Sequence, residues 1–521
     1  MKIWWQLTRL QWRSSWKLLL LPPTVLAVLV IGSAAGVKGL YPNPADRLTY
    51  AQTLGASLSS ITVNGRGYGL ESLGGITAYE VGFFGQLMFS FLGVIMAVRL
   101  TRRVEDGGVL ELVTALRVHR LAWPSVAALS MLVSWSVFGV LTTTGMVAAG
   151  YPGLATLRYV LSMTAFGLAW SGVGLAVAQF ATTARTALGL GLGLVFLGYL
   201  TRAVVDSQSS SWTWLSPMSW VVEARAWDHW SRRPVLALLG LALTATATAL
   251  LICAHRDLGS GLLATRLGPA QAGRSLSRPW GLAWRLGRGP SLGWLLGSCC
   301  WTATLGVMTQ DFAEAVAKNP IIAAALGGSV ANLAAEIALL VAGCCAGSAG
   351  LAVILRLGTE ESQARLGLLL AGRRSRWQWW GSWCLVAAGT AAVVMLVDAT
   401  AFGLAQWWAL GTDTAMADVL TAGVRYLPAI WAMVAVGAIL TSALPRLRGL
   451  AWMVPAWAIT VGLLAPTLRL PQWSRQLSLM YLVGRLPTTE PNWTALWGLC
   501  LAAVVAIVWG GLVFHRDLVR G

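Results

Sequence analysis

The stretch EDGGVLELVTALRVHR, residues 105–120, lies between two long apolar runs and decides the fold. It is too short and too charged to cross a membrane, whereas the runs at 81–99 and 122–148 are long enough to do so. One face carries apolar residues at the i, i+3, i+4 and i+7 spacing of a helix, namely Val109, Leu112, Val113 and Leu116. The stretch therefore predicts an amphipathic helix in a loop between two spanning helices.

The composition around this stretch is that of a membrane protein. Of the 521 residues, 56% are hydrophobic and 11% are charged, whereas soluble domains are about 25% charged. The 29 tryptophans suit the interfacial belts of a multi-pass protein. The formal net charge of +18 comes mainly from arginines in short loops beside apolar runs, which favours anionic lipid headgroups over nucleic acid.

Twelve stretches contain the roughly 20 mainly apolar residues that a spanning helix needs. They lie at 17–37, 81–99, 122–148, 156–180, 187–206, 234–254, 291–309, 336–357, 380–403, 419–443, 449–467 and 495–514. The sequence therefore predicts an all-α polytopic membrane protein. Basic residues cluster in loops such as 256–288 and 356–376, so the positive-inside rule places these loops and both termini in the cytoplasm, as in a multi-pass plasma-membrane protein.

The segments outside these spans also carry patterns. Residues 1–16 interleave Trp and Leu with Arg and Lys, which is typical of an in-plane amphipathic helix at the inner surface. Residues 207–233 and 468–494 are rich in Trp and predict short helices that dip into the outer leaflet. The external segment 38–79 contains several Gly and Pro residues and supports no specific prediction.

The chain repeats itself with a gapless shift of 256 residues. The shift places Glu80 on Glu336 and Glu105 on Glu361, and near a shift of 260 the motif HRDL at 255–258 recurs at 515–518. LSPM at 215–218 likewise recurs as LSLM at 477–480. Because each half has six spans, an even number, the repeat predicts two six-helix halves of parallel topology. The halves are residues 17–254 and 291–521, and the Gly-, Pro- and Arg-rich linker is residues 255–290.

The repeat gives the opening stretch a copy, ESQARLGLLLAGRRSR, at residues 361–376. Two interpretations stay open on the residues alone: solvated helices lying on the membrane, or docking elements for two copies of a cytoplasmic partner. The chain contains no G-x-x-x-x-G-K-[ST] phosphate loop. If ATP drives this protein, the ATPase is therefore a separate polypeptide.

Several motifs together resemble a known family. They are R-x-x-E-D-x-G-x-L-E-L at 102–112, YPNPADRLTYA at 41–51, LGGITAYE at 73–80 and RRPVLALLGLALTATATALLICAHRDLGSGLLATRLGPA at 232–270. The chain resembles the fused, twelve-helix permease subunit of an actinobacterial ABC-type antibiotic or multidrug exporter. Within that family it looks like the polyketide- or tetronasin-resistance type, which is similar to a mycobacterial multidrug-efflux permease.

The resemblance implies that both amphipathic stretches are coupling helices for two copies of a separate ABC ATPase. That ATPase would bind ATP and Mg, so the chain itself would hold no cofactor or metal and would not be an enzyme. The coupling residues would be Glu105, Asp106, Glu111, Leu112, Arg117, Arg120, Glu361, Arg365, Leu368, Arg373 and Arg376. Because Gly367 replaces Glu111 and Ser362 replaces Asp106 in the copy, we expect the second helix to couple more weakly.

A second set of residues forms the candidate path for a small hydrophobic or amphipathic substrate. It comprises Glu80, Phe83, Phe84, Phe89, Phe196, Tyr199, Glu336 and Asp398. For the carboxylates the alternative is an interfacial position or a structural pair, and for the aromatics it is packing. Two functional alternatives also stay open, the export of a lipid or glycolipid and ion-coupled secondary transport.

Overall fold

A computed structural model describes most of the chain, and every regular element in the part it describes is helical. The described residues are 2–53, 61–62, 64–115, 118–208, 210–263, 271, 273–317, 330–362, 375–411, 415–464 and 471–516. They form two compact units, Met1–Leu267 and Gly268–Gly521. Each unit is described separately below.

Unit 1 contains ten described α-helices. They are α1 Lys2–Leu40, α2 Pro44–Thr53, α3 Leu73–Leu100, α4 Arg102–Asp106, α5 Val109–Ala115, α6 Ala122–Ala148, α7 Gly153–Phe180, α8 Ala184–Gln208, α9 Pro217–Glu223 and α10 Arg232–His255. A 3₁₀ turn at Ser210–Leu215 leads into α9. The short helix α9 lies inside the Trp-rich segment for which the sequence predicted short helices.

Unit 2 contains eight described α-helices. They are α11 Pro279–Ala317, α12 Val330–Ser362, α13 Arg376–Leu410, α14 Ala415–Ala443, α15 Met453–Leu464, α16 Gln472–Gln476, α17 Leu479–Val483 and α18 Trp493–Arg516. 3₁₀ turns at Arg274–Ser277 and Pro445–Trp452 precede α11 and α15.

Eleven of the described helices are long and apolar enough to cross a membrane, six in unit 1 and five in unit 2. The remaining predicted stretch, 449–467, contains α15, and residues 465–467 lie outside the described part of the chain. Outward-facing leucines such as Leu236, Leu243 and Leu251 of α10 are exposed. Such faces are stable in lipid, whose chains are as apolar as leucine. The predicted class, an all-α polytopic membrane protein, is confirmed.

The two units pack their helices on the same plan. Unit 1 pairs α1 with α6, α3 with α7 and α8, and α7 with α6 and α10. Unit 2 makes the corresponding pairs, α11 with α13, α12 with α14 and α15, and α14 with α13 and α18. Each long helix of one unit therefore has a counterpart in the other, as the internal repeat leads one to expect.

Local sequence sets several helix ends. Ser72 caps α3, because its hydroxyl accepts a hydrogen bond from the Gly75 amide at 3.0 Å. Ser375 and Gln378 form a reciprocal capping box at the start of α13. Gly411 ends α13 with a left-handed φ of 66°, a conformation that glycine adopts without a steric penalty.

Aromatic packing fills the centre of unit 1. The rings of Phe89 and Trp135 stack at 5.2 Å between centroids, and Phe138 meets Phe89 edge-on at 4.8 Å. A Cβ on Gly167 would lie 2.6 Å from the indole of Trp135, so only glycine allows α7 to approach this ring. Phe89, a candidate path residue, is thus part of the packed core.

The N-terminus and the linker differ from the boundaries that the sequence suggested. Residues 2–40 form one helix, which continues through Pro22 and Pro23, and no break separates 1–16 from the first span. The first turns of α1 pack on α6, where Gln11 accepts a hydrogen bond from Ser130 at 2.8 Å. Within the predicted linker, residues from Pro279 onward already belong to α11.

Candidate functional site

The opening stretch forms two short helices where the sequence suggested one. Helix α4 ends at Asp106 and α5 begins at Val109, and Gly107 and Gly108 lie between them. Gly108 has a φ of 72°, in the left-handed region that favours glycine. The glycine pair therefore breaks the helix and turns α5 away from α4.

Helix α5 buries a different face from the one predicted. Leu110 and Val113 are buried and pack with Leu7 and Trp123, whereas Val109 is 43% exposed and Leu112 is 72% exposed. The predicted face is therefore wrong at Val109 and Leu112, and Leu116 lies outside the described residues. The cause is tertiary, since Leu7 of α1 and Trp123 of α6 cover the Leu110 side.

Glu105 is buried and held by four hydrogen bonds. It accepts from Arg102 Nη1 at 3.0 Å, from Arg256 Nη2 at 2.6 Å and Nη1 at 2.9 Å, and from the Gly259 amide at 2.7 Å. We call Arg102, Glu105 and Arg256 the Glu105 cluster. Charge-assisted bonds of this kind, in a site with little water, are stronger than neutral ones.

The Glu105 cluster joins α4 to the loop after α10. Arg256 also donates to the Gln179 side chain at 2.8 Å and to the Ser260 carbonyl, which accepts from Arg102 Nη2 at 2.7 Å as well. The Leu263 amide donates to the Phe180 carbonyl at 2.9 Å. Helix α4 and the ends of α7 and α10 are thus fixed to one another at the predicted cytoplasmic end of unit 1.

This cluster explains a motif that the sequence showed but did not interpret. HRDL at 255–258 served above only as evidence for the repeat, and its recurrence at 515–518 was the signal that it has a structural role. Its arginine, Arg256, supplies two of the four hydrogen bonds to Glu105.

Asp106 makes the next connection along the chain. Its Oδ2 accepts a hydrogen bond from the Ala184 amide, the first residue of α8, at 2.6 Å. A carboxylate at this position satisfies a free amide and suits the positive end of the helix dipole. Glu111 and Arg120 are exposed, and Arg117 lies outside the described residues.

The predicted outer end of unit 1 contains a small cavity of about 60 Å³. Gln86 and Tyr159 line it, and no hydrogen-bond partner is found for the Gln86 amide or the Tyr159 hydroxyl within the described part of the chain. Glu223 accepts from the Tyr68 hydroxyl at 2.6 Å, and Arg225 lies 4.1 Å from the centroid of the Tyr68 ring. Burial, and then the bond to Glu223, raise the pKa of Tyr68 above its ordinary value.

The corresponding end of unit 2 contains a larger cavity, of about 400 Å³. Glu336 and Arg485 line it and form an ion pair with 2.6 Å between Oε1 and Nε. Glu80, the repeat counterpart of Glu336, is exposed and accepts a short hydrogen bond from the Tyr50 hydroxyl. The structure thus gives the two repeat-related carboxylates different partners.

Known proteins match along nearly the whole chain. Residues 276–515 match the family model described as "Multidrug efflux system permease Rv1217c, C-terminal domain". The multidrug efflux system permease protein Rv1217c of Mycobacterium tuberculosis (strain ATCC 25618 / H37Rv) is 30% identical over 518 residues, which cover 97% of this chain and 92% of that protein. This chain belongs to that permease family. The resemblance inferred from the sequence motifs is confirmed.

The second amphipathic stretch of this permease is only partly described. Glu361 lies in the last turn of α12, and Arg365, Leu368 and Arg373 lie outside the described residues. Arg376, the first residue of α13, donates to the Phe514 carbonyl at 3.1 Å and so ties α13 to the end of α18. Gly358 replaces Arg102 at the shift of 256, and a Cβ there would lie 2.7 Å from Arg448 Nη1.

The remaining path residues of the permease lie in separate surroundings. Phe84 is exposed on α3, Phe196 is half-buried on α8, and the side chain of Phe83 lies outside the described part. Tyr199 is buried beneath the Arg202 guanidinium, 4.8 Å from the ring centroid. Asp398 is fully buried in α13, within electrostatic reach of Cys299 on α11 and Cys345 on α12.

Proposed function

We propose that this permease is the membrane-spanning subunit of an ATP-driven exporter of the ABC type, located in the plasma membrane with both termini in the cytoplasm. Its substrates would be hydrophobic or amphipathic drugs, as the name of the mycobacterial relative suggests. A separate ATPase, present in two copies, would bind ATP and Mg and would dock on residues 105–120 and 361–376.

The observation that supports docking is the outward face of α5. Leu112 is 72% exposed and Val109 is 43% exposed at the end of the bundle, beside the exposed Glu111. In the proposed orientation this end faces water, where an exposed apolar side chain has no lipid to cover it. Apolar residues rimmed by charge are typical of protein-binding surfaces.

The Glu105 cluster supports the coupling part of the proposal. A force on α5 would reach α4 across the two glycines, and α4 is bonded through Glu105 to the end of α10 and through Asp106 to the start of α8. Glu105 and Arg102 are buried and would therefore position the docking helix without touching the ATPase. The contact residues in unit 1 would be Leu112, Glu111 and Arg120.

The test is reconstitution of the full-length permease with its ATPase in proteoliposomes. Leu112→Asp should abolish ATP-dependent efflux of an amphipathic fluorescent dye and reduce the ATPase activity that copurifies with the permease. The matched control is Leu477→Asp, since Leu477 is 64% exposed at the predicted outer end. Wild-type copurification and efflux for Leu112→Asp would rule out docking at α5.

The exit path would include the larger outer cavity and its Glu336–Arg485 pair. Because Arg485 is 66% exposed, it could move into water when a cationic substrate takes its place beside the buried Glu336. Glu80 would take the equivalent position in unit 1. Export of a lipid or glycolipid remains the alternative substrate class, and a screen for compounds that stimulate ATP hydrolysis would separate the two.

Asp398 favours a second candidate function, ion-coupled transport. A carboxylate buried in a spanning helix is expensive and often belongs to a proton or cation pathway. Asp398→Asn would then abolish efflux driven by a proton gradient in the absence of ATP. If efflux requires ATP and is insensitive to a protonophore, ion coupling is excluded.

A further inference from the structure

A long apolar groove runs between α11 and α13 in unit 2. It encloses about 410 Å³, and its lining includes Trp280, Trp284, Leu292 and Leu295 of α11 and Thr390 and Val393 of α13. Its extent along α11, from Trp280 to Leu295, is about 22 Å at 1.5 Å per residue. That length is about half of the 40–45 Å thickness of a bilayer including its headgroups.

The groove has a basic, aromatic end. Trp280 and Trp284 are exposed and lie about one helical turn apart. Exposed tryptophans are typical of the membrane–water interface. Arg288 is exposed four residues after Trp284 and four before Leu292, so helical spacing places it on the same face as these groove residues. Arg285 is exposed beside it, and residues 271–310 and 375–397 contain no Asp or Glu.

The groove also has one unsatisfied polar group. Thr390 is more than nine-tenths buried, and its hydroxyl has no hydrogen-bond partner among the residues that the structure describes. Ser291, the other hydroxyl in the lining, already donates to the Gly287 carbonyl at 3.0 Å. A buried hydroxyl without a partner is costly, and an ester carbonyl entering the groove would satisfy it.

We propose that this groove binds one acyl chain of an anionic phospholipid, with the phosphate at Arg288 and Arg285. The apolar lining accepts the chain, the two indoles flank the headgroup region, and Thr390 donates to an ester carbonyl. The absence of acidic residues from both wall segments favours an anionic headgroup over a zwitterionic one. The site would hold a lipid of the leaflet that contains the start of α11.

Native mass spectrometry of the full-length protein can test this site without the ATPase. The protein is titrated with dioleoyl phosphatidylglycerol and, separately, with dioleoyl phosphatidylcholine. We expect the first phosphatidylglycerol to bind about tenfold more tightly, and Arg288→Gln to remove this preference, since the variant cannot make a charge-assisted bond to the phosphate. Thr390→Val, which keeps the shape and removes the hydroxyl, should weaken both lipids about tenfold or less.

Filling the groove gives the second arm of the test. Val393→Trp should weaken the first lipid of either type, whereas Leu243→Trp, on the exposed face of α10, should change neither. A photoreactive side chain at position 393 should crosslink to lipid. Equal affinity of the wild type for both lipids, no effect of Val393→Trp, or crosslinking to residues 1–267 of the chain would each overturn the proposal.

Discussion

Glu105 and Glu336 are both carboxylates paired with arginine, but they are built for different purposes. Glu105 is buried and accepts four hydrogen bonds from two arginines and a backbone amide. Glu336 is also buried, but the arginine of its ion pair, Arg485, is 66% exposed. A pair that is buried on both sides is costly to break, whereas a pair whose arginine is exposed can open when that arginine moves into water. The contrast suits a rigid connection at the predicted cytoplasmic end of unit 1 and a movable contact at the predicted outer end of unit 2.

The largest effect should follow from neutralising the buried carboxylate. Glu105→Gln keeps the shape but removes the counter-charge of Arg256 and leaves Arg102 with the more distant Asp106 at 3.8 Å, which should cost about 3–5 kcal/mol of folding free energy. Thermal unfolding of the detergent-purified protein measures this loss. Glu111→Gln, on the exposed side of α5, is the matched control and should unfold as the wild type does. Equal unfolding of both variants would contradict the rigid connection.

Arg256→Lys should have the second largest effect. Lysine keeps the charge but cannot reproduce the two parallel bonds to Glu105 together with the bond to Gln179. We expect a loss of about 1.5–3 kcal/mol, the contribution of a hydrogen bond to a charged group. The same unfolding assay applies, with Arg120→Lys as the exposed control. If Arg256→Lys leaves the stability unchanged, a positive charge alone is enough to hold Glu105.

Tyr68→Phe should fall between the two extremes. Ser216 caps α9 and Ser478 caps α17. Glu223 lies seven residues after Ser216, and Arg485 lies seven residues after Ser478, so the two halves have opposite charges at equivalent positions. Loss of the 2.6 Å bond from Tyr68 to the partly buried Glu223 should cost about 1 kcal/mol. If Tyr68→Phe destabilises the protein as much as Glu105→Gln does, the burial of a carboxylate and its partner does not determine how much they contribute to stability.

The smallest effect on stability should come from Glu336→Gln. Glutamine keeps the shape of the buried Glu336 side chain, and Arg485 is exposed to water, so the folding free energy should change by about 0–1 kcal/mol. If the pair borders the exit path, the variant should instead alter dye efflux, with a larger effect for cationic than for neutral dyes. Stability should stay near wild type in both low and high salt. A drop as large as that of Glu105→Gln would remove the contrast on which the proposal depends.

The sequence predicted what depends on local pattern. Apolar length and the repeat located the spans, and eleven of the predicted stretches lie in long apolar helices. The buried face of α5 could not be predicted, because Leu7 decides it from another helix. Nor could the partner of Glu105, since Arg256 lies 151 residues away and only the fold brings them together. Helical periodicity contains no information about such contacts.

The distance between Glu105 and Arg256 along the chain has a consequence for biosynthesis. At about 5–20 residues per second, a ribosome adds Arg256 roughly 8–30 seconds after Glu105. Two spans of unit 1 precede Glu105 and the other four are added during that interval, while the carboxylate lacks its principal partner. The cytoplasmic end of the nascent unit must therefore stay hydrated until the sixth span is made. The Glu105 cluster begins after the second span and is completed only by the residue that follows the sixth.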